Sequence, residues 1–203
     1  MRLQIVKYGH PILRQKGAMI KEVTPELREL VSDMVETMNA AHGVGLAAQQ
    51  VGQPLQIMVL DIRDAEDRPS VLEWNGQKVD PASWMPMALL NPQIKPLGPP
   101  AKGPEGCLSF PEVFADVVRP EEVDVTALNP DGARISFRAG GLLGRAIQHE
   151  YDHLQGILFI DRMDPETADE LRPELDDLQA QTKAGLKRGR GDLARAENKG
   201  ARS

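Results

Sequence analysis

Gln148-His149-Glu150-Tyr151-Asp152-His153 places two histidines four residues apart, and on a helix that spacing points both imidazoles the same way, with Glu150 beside whatever they hold. Leu142, Leu143, Ala146 and Ile147 precede the pair at spacings of three and four. They predict a largely apolar helix, entered through Gly140-Gly141 and stopped near Gly156. Histidines so spaced either hold a divalent metal, with the glutamate free to move protons for an attacking water, or stand as solvated or hydrogen-bonded side chains. The stretch alone leaves both open.

A catalytic metal site needs three protein ligands, so the rest of the chain must supply one. The chain has a single cysteine, Cys107, in Pro104-Glu105-Gly106-Cys107-Leu108-Ser109-Phe110-Pro111. A lone thiol cannot close an intrachain disulfide; it packs, reacts or ligates a metal. The flanking Gly106 and Phe110-Pro111 describe a tightly shaped, irregular segment, suited to delivering a thiolate.

Upstream, Thr24 to Ala41 predicts an amphipathic helix: Thr24 caps it, Pro25 opens it, and Leu27, Leu30, Val31, Met34, Val35 and Met38 share one face. Gly43 ends it. Then comes Gly43-Val44-Gly45-Leu46-Ala47-Ala48-Gln49-Gln50, where small residues permit close backbone approach and two polar amides follow. Gly43 and Gly45 serve as turn residues in any case, but a turn does not account for the glutamine pair.

These three stretches, in this order, resemble the three motifs of peptide deformylases of the bacterial and organellar type. The resemblance spans more than half of the chain. It implies one divalent metal ion held by Cys107, His149 and His153, with Glu150 as general acid/base. Gln50 and the Leu108 backbone N–H would bind the developing oxyanion, and Gly45 belongs to the same catalytic set. Val44, Leu142 and Ala146 would line an apolar slot for the formyl-methionine side chain. In that family the metal is commonly Fe2+, with Zn2+, Ni2+ or Co2+ accepted. The implied reaction is hydrolysis of the N-formyl group, released as formate, from N-formylmethionyl nascent peptides. The chemistry is coherent, because a formamide resists neutral water, a metal lowers the pKa of water from about 15.7 to roughly 7, and an oxyanion needs preorganised donors.

Composition sets the frame. With 203 residues and 41% hydrophobic content the chain can bury one sizeable core. No stretch approaches the roughly 20 apolar residues of a membrane span, and Met1 to Tyr8 lacks a secretory segment. A cytoplasmic location, no membrane or DNA partner, and a monomer are expected. Gln56 to Ile62 reads as a buried strand, and Glu122 to Leu128 with Ala133 to Arg138 as a hairpin turning at Asn129-Pro130-Asp131-Gly132. The expected fold class is α+β, with small antiparallel sheets packed around a central helix that carries the metal-binding motif. Ile157 to Ile160 is expected as a strand, and a short helix is expected around Pro165 to Thr182.

Two segments depart from the compact family pattern. Residues 63–86 form an insertion near the cleft, expected to pack its own Trp74 and Trp84 at the surface rather than to act as a lid. Residues 183–203 carry seven basic residues against Asp192 and Glu197, net +5, so the remainder of the −6 chain carries −11. The expected organisation is a catalytic domain over 1–182 and a basic, flexible tail over 183–203. Contact of that tail with ribosomal RNA is the functional alternative to a solvated appendage. Arg145 stands where some relatives carry an apolar residue, and is expected to snorkel, pair with an acid or touch the peptide. Phe114 stands where certain relatives place an arginine. Two rival classes compete with this reading: a zincin-like endopeptidase, which takes its third ligand downstream of the helix, and a non-catalytic ribosome-binding relative, which need not keep Gln50, Cys107 and Glu150 together.

Overall fold

Thr24 is extended, and its hydroxyl accepts a 3.3 Å hydrogen bond from the Leu27 amide, so helix α1 (Pro25–Ala40) starts where its capping threonine predicts. In the computed structural model, which describes residues 1–65 and 67–200 with side chains through 188, α1 buries Val31, Met34, Thr37 and Met38. The strands are β1 (Gly45–Ala47), β2 (Ile57–Leu60), β3 (Ser70–Trp74), β4 (Gln77–Val79), β5 (Met87–Cys107), β6 (Phe110–Leu128) and β7 (Arg134–Gly140). Helix α2 (Gly141–Leu154) bears the histidine pair, and α3 (Pro165–Gly200) closes the chain.

The strands that the sequence suggests as small sheets join into one seven-stranded sheet, ordered β1-β2-β5-β6-β7-β3-β4, with every pairing antiparallel. Strand β2 is buried on both faces. Met58 and Leu60 pack into the cluster containing Leu143, Ala146 and Ile147 of α2, while Ile57 and Val59 pack with Met34 and Met38 of α1. That explains why its sequence is a continuous apolar run rather than an alternating one. Eleven residues of α2 are buried, as befits a helix enclosed on most sides.

The dominant element is the β5–β6 hairpin, 21 and 19 residues long. Bulges at Leu90/Gln93, Leu97/Pro100 and Gly106/Cys107 bend it. The last is the largest: Gly106 pairs with Phe114 and Cys107 with Phe110, so residues 111–113 loop out opposite the thiol, with Glu112 at φ 62°. A bulge re-aims the neighbouring side chains, here at the point where β5 delivers Cys107.

The inserted segment is part of the sheet. Strands β3 and β4 turn at Asn75-Gly76, both at positive φ, and β3 pairs with β7. Trp74 stacks on Trp84 at 4.1 Å and on Phe137 at 5.6 Å, so the tryptophans pack among themselves and on the sheet. The segment also caps α2, which has no side-chain cap of its own. The Leu142 amide donates to the Pro69 carbonyl at 3.0 Å, and the Leu143 amide to Ser70 Oγ at 3.1 Å. Gly141, at φ 62°, permits this approach, since a Cβ there would collide with the Pro69 carbonyl.

Two expectations change. Ile157 to Ile160 is not a strand; Phe159–Asp161 is a 3₁₀ turn, because Asp161 Oδ2 accepts from the Leu158 amide at 2.9 Å and curls the chain. Helix α3 continues past Thr182 to Gly200, while the side chains of 189–203, most of the expected basic tail, lie outside the described residues.

Candidate active site

Helical spacing brings His149 and His153 to one side of α2, and the bulged tip of β5 brings Cys107 against them. Cys107 Sγ lies 3.3 Å from His153 Nε2, and one ligand atom from each of the three residues falls within 4.8 Å of the others. A thiolate and two imidazoles are the donor set of zinc-like and iron-like centres. His149 is already oriented as a ligand, because its Nδ1 contacts Glu105 Oε2 at 2.9 Å and Nε2 is left for an ion. The residues present fit a bound divalent ion.

Glu105 belongs to a buried ion network that the sequence did not single out. Arg119 Nε and Nη2 donate to the two Glu105 oxygens at 2.6 and 3.0 Å, and Arg119 Nη1 donates to Asp152 Oδ2 at 2.8 Å. Arg162 then pairs with Asp152. Burial drives the Glu105 carboxyl upward, but the hydrogen bonds from His149 and Arg119 outweigh it and hold it at about 2. A permanently ionised Glu105 therefore backs His149. Arg145, one turn before His149, does pair with an acid: it donates to Glu105 Oε1 at 2.9 Å, to Val117 O at 2.8 Å and to Ala101 O at 2.7 Å. It thereby ties α2 to both strands of the hairpin that carries Cys107.

Glu150 sits apart from these pairs. It is 4% exposed, and its Oε2 has no hydrogen-bond partner among the described residues. Burial, above all else, raises its carboxyl to about 7. Gly45 is what lets it fit, since a Cβ at that position would lie 2.5 Å from Glu150 Oε1. Burial opposes charge on both imidazoles; contacts with Cys107 and Glu105 overcome it for His149 and raise its pKa, while His153, beside a charged His149, is lowered. Gln50 is 1% exposed; its Oε1 accepts from the Ala47 amide at 2.8 Å, which turns its Nε2 toward Cys107 Sγ at 3.4 Å.

A cavity of about 590 Å³ opens onto this cluster. Gly45, Gln50, Cys107, Leu108, His149 and Glu150 line it, as do Val44, Leu142 and Ala146. Of the catalytic, substrate-slot and metal-ligand residues that the resemblance implies, only His153 stands behind the wall rather than on it, and Gln49 of the glutamine pair is buried away from it, its Nε2 donating to the Gln15 carbonyl at 3.4 Å. Phe114, 68% exposed, and Arg68 of the inserted segment lie at the rim. Glu105 had a visible clue in its place two residues before the cysteine. Arg119 had none, since only the hairpin register brings it there.

At this cavity stand three side chains that could hold a metal ion, Cys107 and His149 on its wall and His153 behind it, around one buried, easily protonated carboxylate, with a neutral amide held ready beside them. A metal-dependent hydrolase is the class that such equipment defines. Comparison with known proteins narrows it: residues 2–169 match the family model described as Polypeptide deformylase. A peptide deformylase of Opitutus terrae is 41% identical over 92% of this chain and 98% of its own. The chloroplastic peptide deformylase 1B of Oryza sativa is 38% identical over 87% of this chain and 61% of its own. The crystal structure of Arabidopsis thaliana peptide deformylase 1B in complex with an inhibitor has a TM-score of 0.78 and 36% identity, covering 90% of this chain and 93% of that one. The chain belongs to the peptide deformylase family. It is an enzyme that removes the N-formyl group from newly synthesised polypeptides. The upstream position of the thiol ligand candidate separates it from zincin-like endopeptidases, and the intact polar set from a binding protein without activity.

Proposed function

We propose that Cys107, His149 and His153 hold the metal, that Glu150 is the general acid/base, and that Gln50 Nε2 with the Leu108 N–H stabilises the oxyanion as N-formylmethionyl peptide is cleaved to formate and a free amine. The observation that carries this is the buried Glu150 carboxylate, unpartnered at Oε2 among the described residues, beside a three-donor cluster of which Cys107 and His149 line the cavity and His153 stands behind them. A bound divalent ion supplies Lewis acidity that makes water nucleophilic near neutral pH. Glu150 takes the proton from the attacking water and returns it to the leaving nitrogen, and a pKa near 7 suits a group that must do both. Gln50 is preorganised by the Ala47 amide, so its donor needs no reorientation when charge develops on the formyl oxygen. Gly45 keeps space for Glu150. Val44, Leu142 and Ala146 form the apolar slot for the methionine side chain, and the remaining peptide pairs with the open edge of β1, whose only strand partner among the described residues is β2.

Fe2+ is the proposed native ion, with Zn2+, Ni2+ or Co2+ able to replace it, since thiolate and imidazole donors accept each of these. Formate release from an N-formylmethionyl peptide, run anaerobically with each ion, tests both points. Iron enzyme no more active than the zinc form, or iron and nickel forms with equal lifetimes in air, would reject iron. In the same assay Gln50→Leu should lose about 10²- to 10³-fold in kcat, the usual cost of one oxyanion donor, with a smaller change in KM. Wild-type turnover would remove Gln50 from the mechanism.

The proposed organisation is a catalytic domain over 1–182, which encloses the 2–169 family match, and a basic tail over 183–203 that engages ribosomal RNA. A cytoplasmic monomer is proposed, although relatives include a chloroplastic protein. No described helix is long and apolar enough to cross a membrane. Deleting 184–203 should leave hydrolysis of a short peptide unchanged and weaken salt-sensitive pelleting with ribosomes. Equal pelleting of both forms at low and moderate salt would leave the tail without that role.

A further inference from the structure

The turn that joins β5 to β6 has only two residues, Leu108 and Ser109, between the paired Cys107 and Phe110. Two-residue hairpin loops favour turns with positive φ at one or both central residues. Neither Leu108 nor Ser109 is among the positive-φ residues. The turn therefore lacks the backbone form that such loops favour, and contacts from outside the hairpin reinforce it. The N-terminal segment supplies them. Lys7 Nζ donates to the Leu108 carbonyl at 2.8 Å, and the Tyr8 amide donates to the Ser109 carbonyl at 2.9 Å. One residue earlier, the Val6 amide donates to the Gln50 carbonyl at 2.9 Å.

Three consecutive residues thus grip both halves of the oxyanion site, the Gln50 turn and the Cys107–Phe110 turn. The contacts of Val6 and Tyr8 are backbone bonds that any residue but proline could make. Lys7 alone uses its side chain, an ammonium on a carbonyl, which is a charge-assisted bond stronger than a neutral one. Its residue also lines the cavity, half-buried beside Ile5 and Gly106. We propose that Lys7 is a positioning residue for the deformylation reaction, its ammonium fixing the Leu108–Ser109 turn so that the Leu108 N–H meets the oxyanion. The clamp rests on the roles proposed above for Gln50 and Leu108. It predicts that loss of Lys7 acts on the transition state more than on substrate binding.

The test compares Lys7→Met and Lys7→Arg in the metal-loaded full-length enzyme with an N-formylmethionyl tripeptide. Lys7→Met should lose about tenfold to a hundredfold in kcat, a fraction of what deletion of an oxyanion donor costs, with KM within about threefold of wild type. Metal content should not change, and amide hydrogen exchange in a fragment spanning 106–110 should quicken. Lys7→Arg, which can still donate to the carbonyl, should recover most of kcat and the slow exchange. Wild-type kcat in Lys7→Met would overturn the clamp. So would equal losses in the Met and Arg variants accompanied by lower thermal stability, since that pattern marks packing alone. Should Lys7→Met fail to fold, Lys7→Leu, which likewise has no donor, takes its place and is read by the same criteria. Gln50→Leu at wild-type turnover overturns the underlying oxyanion assignment instead. A slow Gln50→Leu beside a fully active Lys7→Met overturns only the clamp.

Discussion

Glu150→Gln should yield a folded protein that keeps its metal and turns over N-formylmethionyl peptide about 10²- to 10⁴-fold more slowly, the range that a positioned general acid/base contributes. The amide matches the carboxylate in size, so the space beside Gly45 is preserved, but it cannot accept a proton from water. A second readout belongs to the same variant. The Glu150 carboxyl lies at about 7 in the fold against an ordinary 4.5. A carboxyl raised by folding gives stability that is fully present below about 4.5 and is lost as pH rises through 7. In metal-free protein the wild type should therefore lose up to roughly 3 kcal/mol relative to Glu150→Gln across that window. Denaturant unfolding at pH 5 and pH 8 measures it. Parallel pH profiles would deny the burial effect, and near wild-type turnover would deny the proton-transfer role.

Removing a proposed metal ligand should be more damaging still. Cys107→Ser, His149→Ala and His153→Ala should each bind far less than one ion per chain by elemental analysis and show almost no formate release. His149→Ala carries a further cost, because Glu105 loses the Nδ1 contact at 2.9 Å and the network keeps a buried carboxylate with one partner fewer. Glu105 keeps Arg119 and Arg145, so the cost is a fraction of the about 3–5 kcal/mol that an outright unpaired buried charge carries. His149→Ala should thus unfold at lower denaturant than His153→Ala, whose Nδ1 has no partner to lose. Full metal occupancy in all three variants would sink the ligand assignment.

Legibility followed the range of the physics. The helix that carries the histidine pair was legible because its evidence is local: apolar residues at spacings of three and four, glycines at both ends, and histidines one turn apart. Cys107, Gln50 and Glu150 were legible because short motifs surround them. The β5–β6 hairpin was not. Pro92, Pro96, Pro99, Pro100, Pro104, Pro111 and Pro120 interrupt its sequence, and proline argues against a strand wherever a ladder donor is needed. It survives here through bulges, Asn91 and Gly98 at positive φ, and stretches with only one strand neighbour. The Glu105–Arg119–Asp152 network was hidden for a related reason. Arg119 is 14 residues from one partner and 33 from the other, a distance bridged only after the hairpin packs on α2. Ile157 to Ile160 misled because four apolar residues cannot report that Asp161 will bend them.

Those same prolines bear on how the protein keeps its own kind away. Among the described residues, β5 beyond Leu97 pairs only with β6, and β6 before Pro120 pairs only with β5, so the distal arm of the hairpin has two outer edges. A long, open, two-stranded ribbon is the shape on which other chains nucleate fibrils. Pro99, Pro100, Pro104 and Pro111 offer no amide hydrogen to an incoming strand. Arg145 takes up the carbonyls of Ala101 and Val117, and Gln148 takes up that of Pro120. Donors deleted from the ribbon and acceptors occupied by α2 leave little for a neighbouring molecule to grasp. The feature that makes this hairpin hard to read in one dimension also guards its edges against a second copy of the chain.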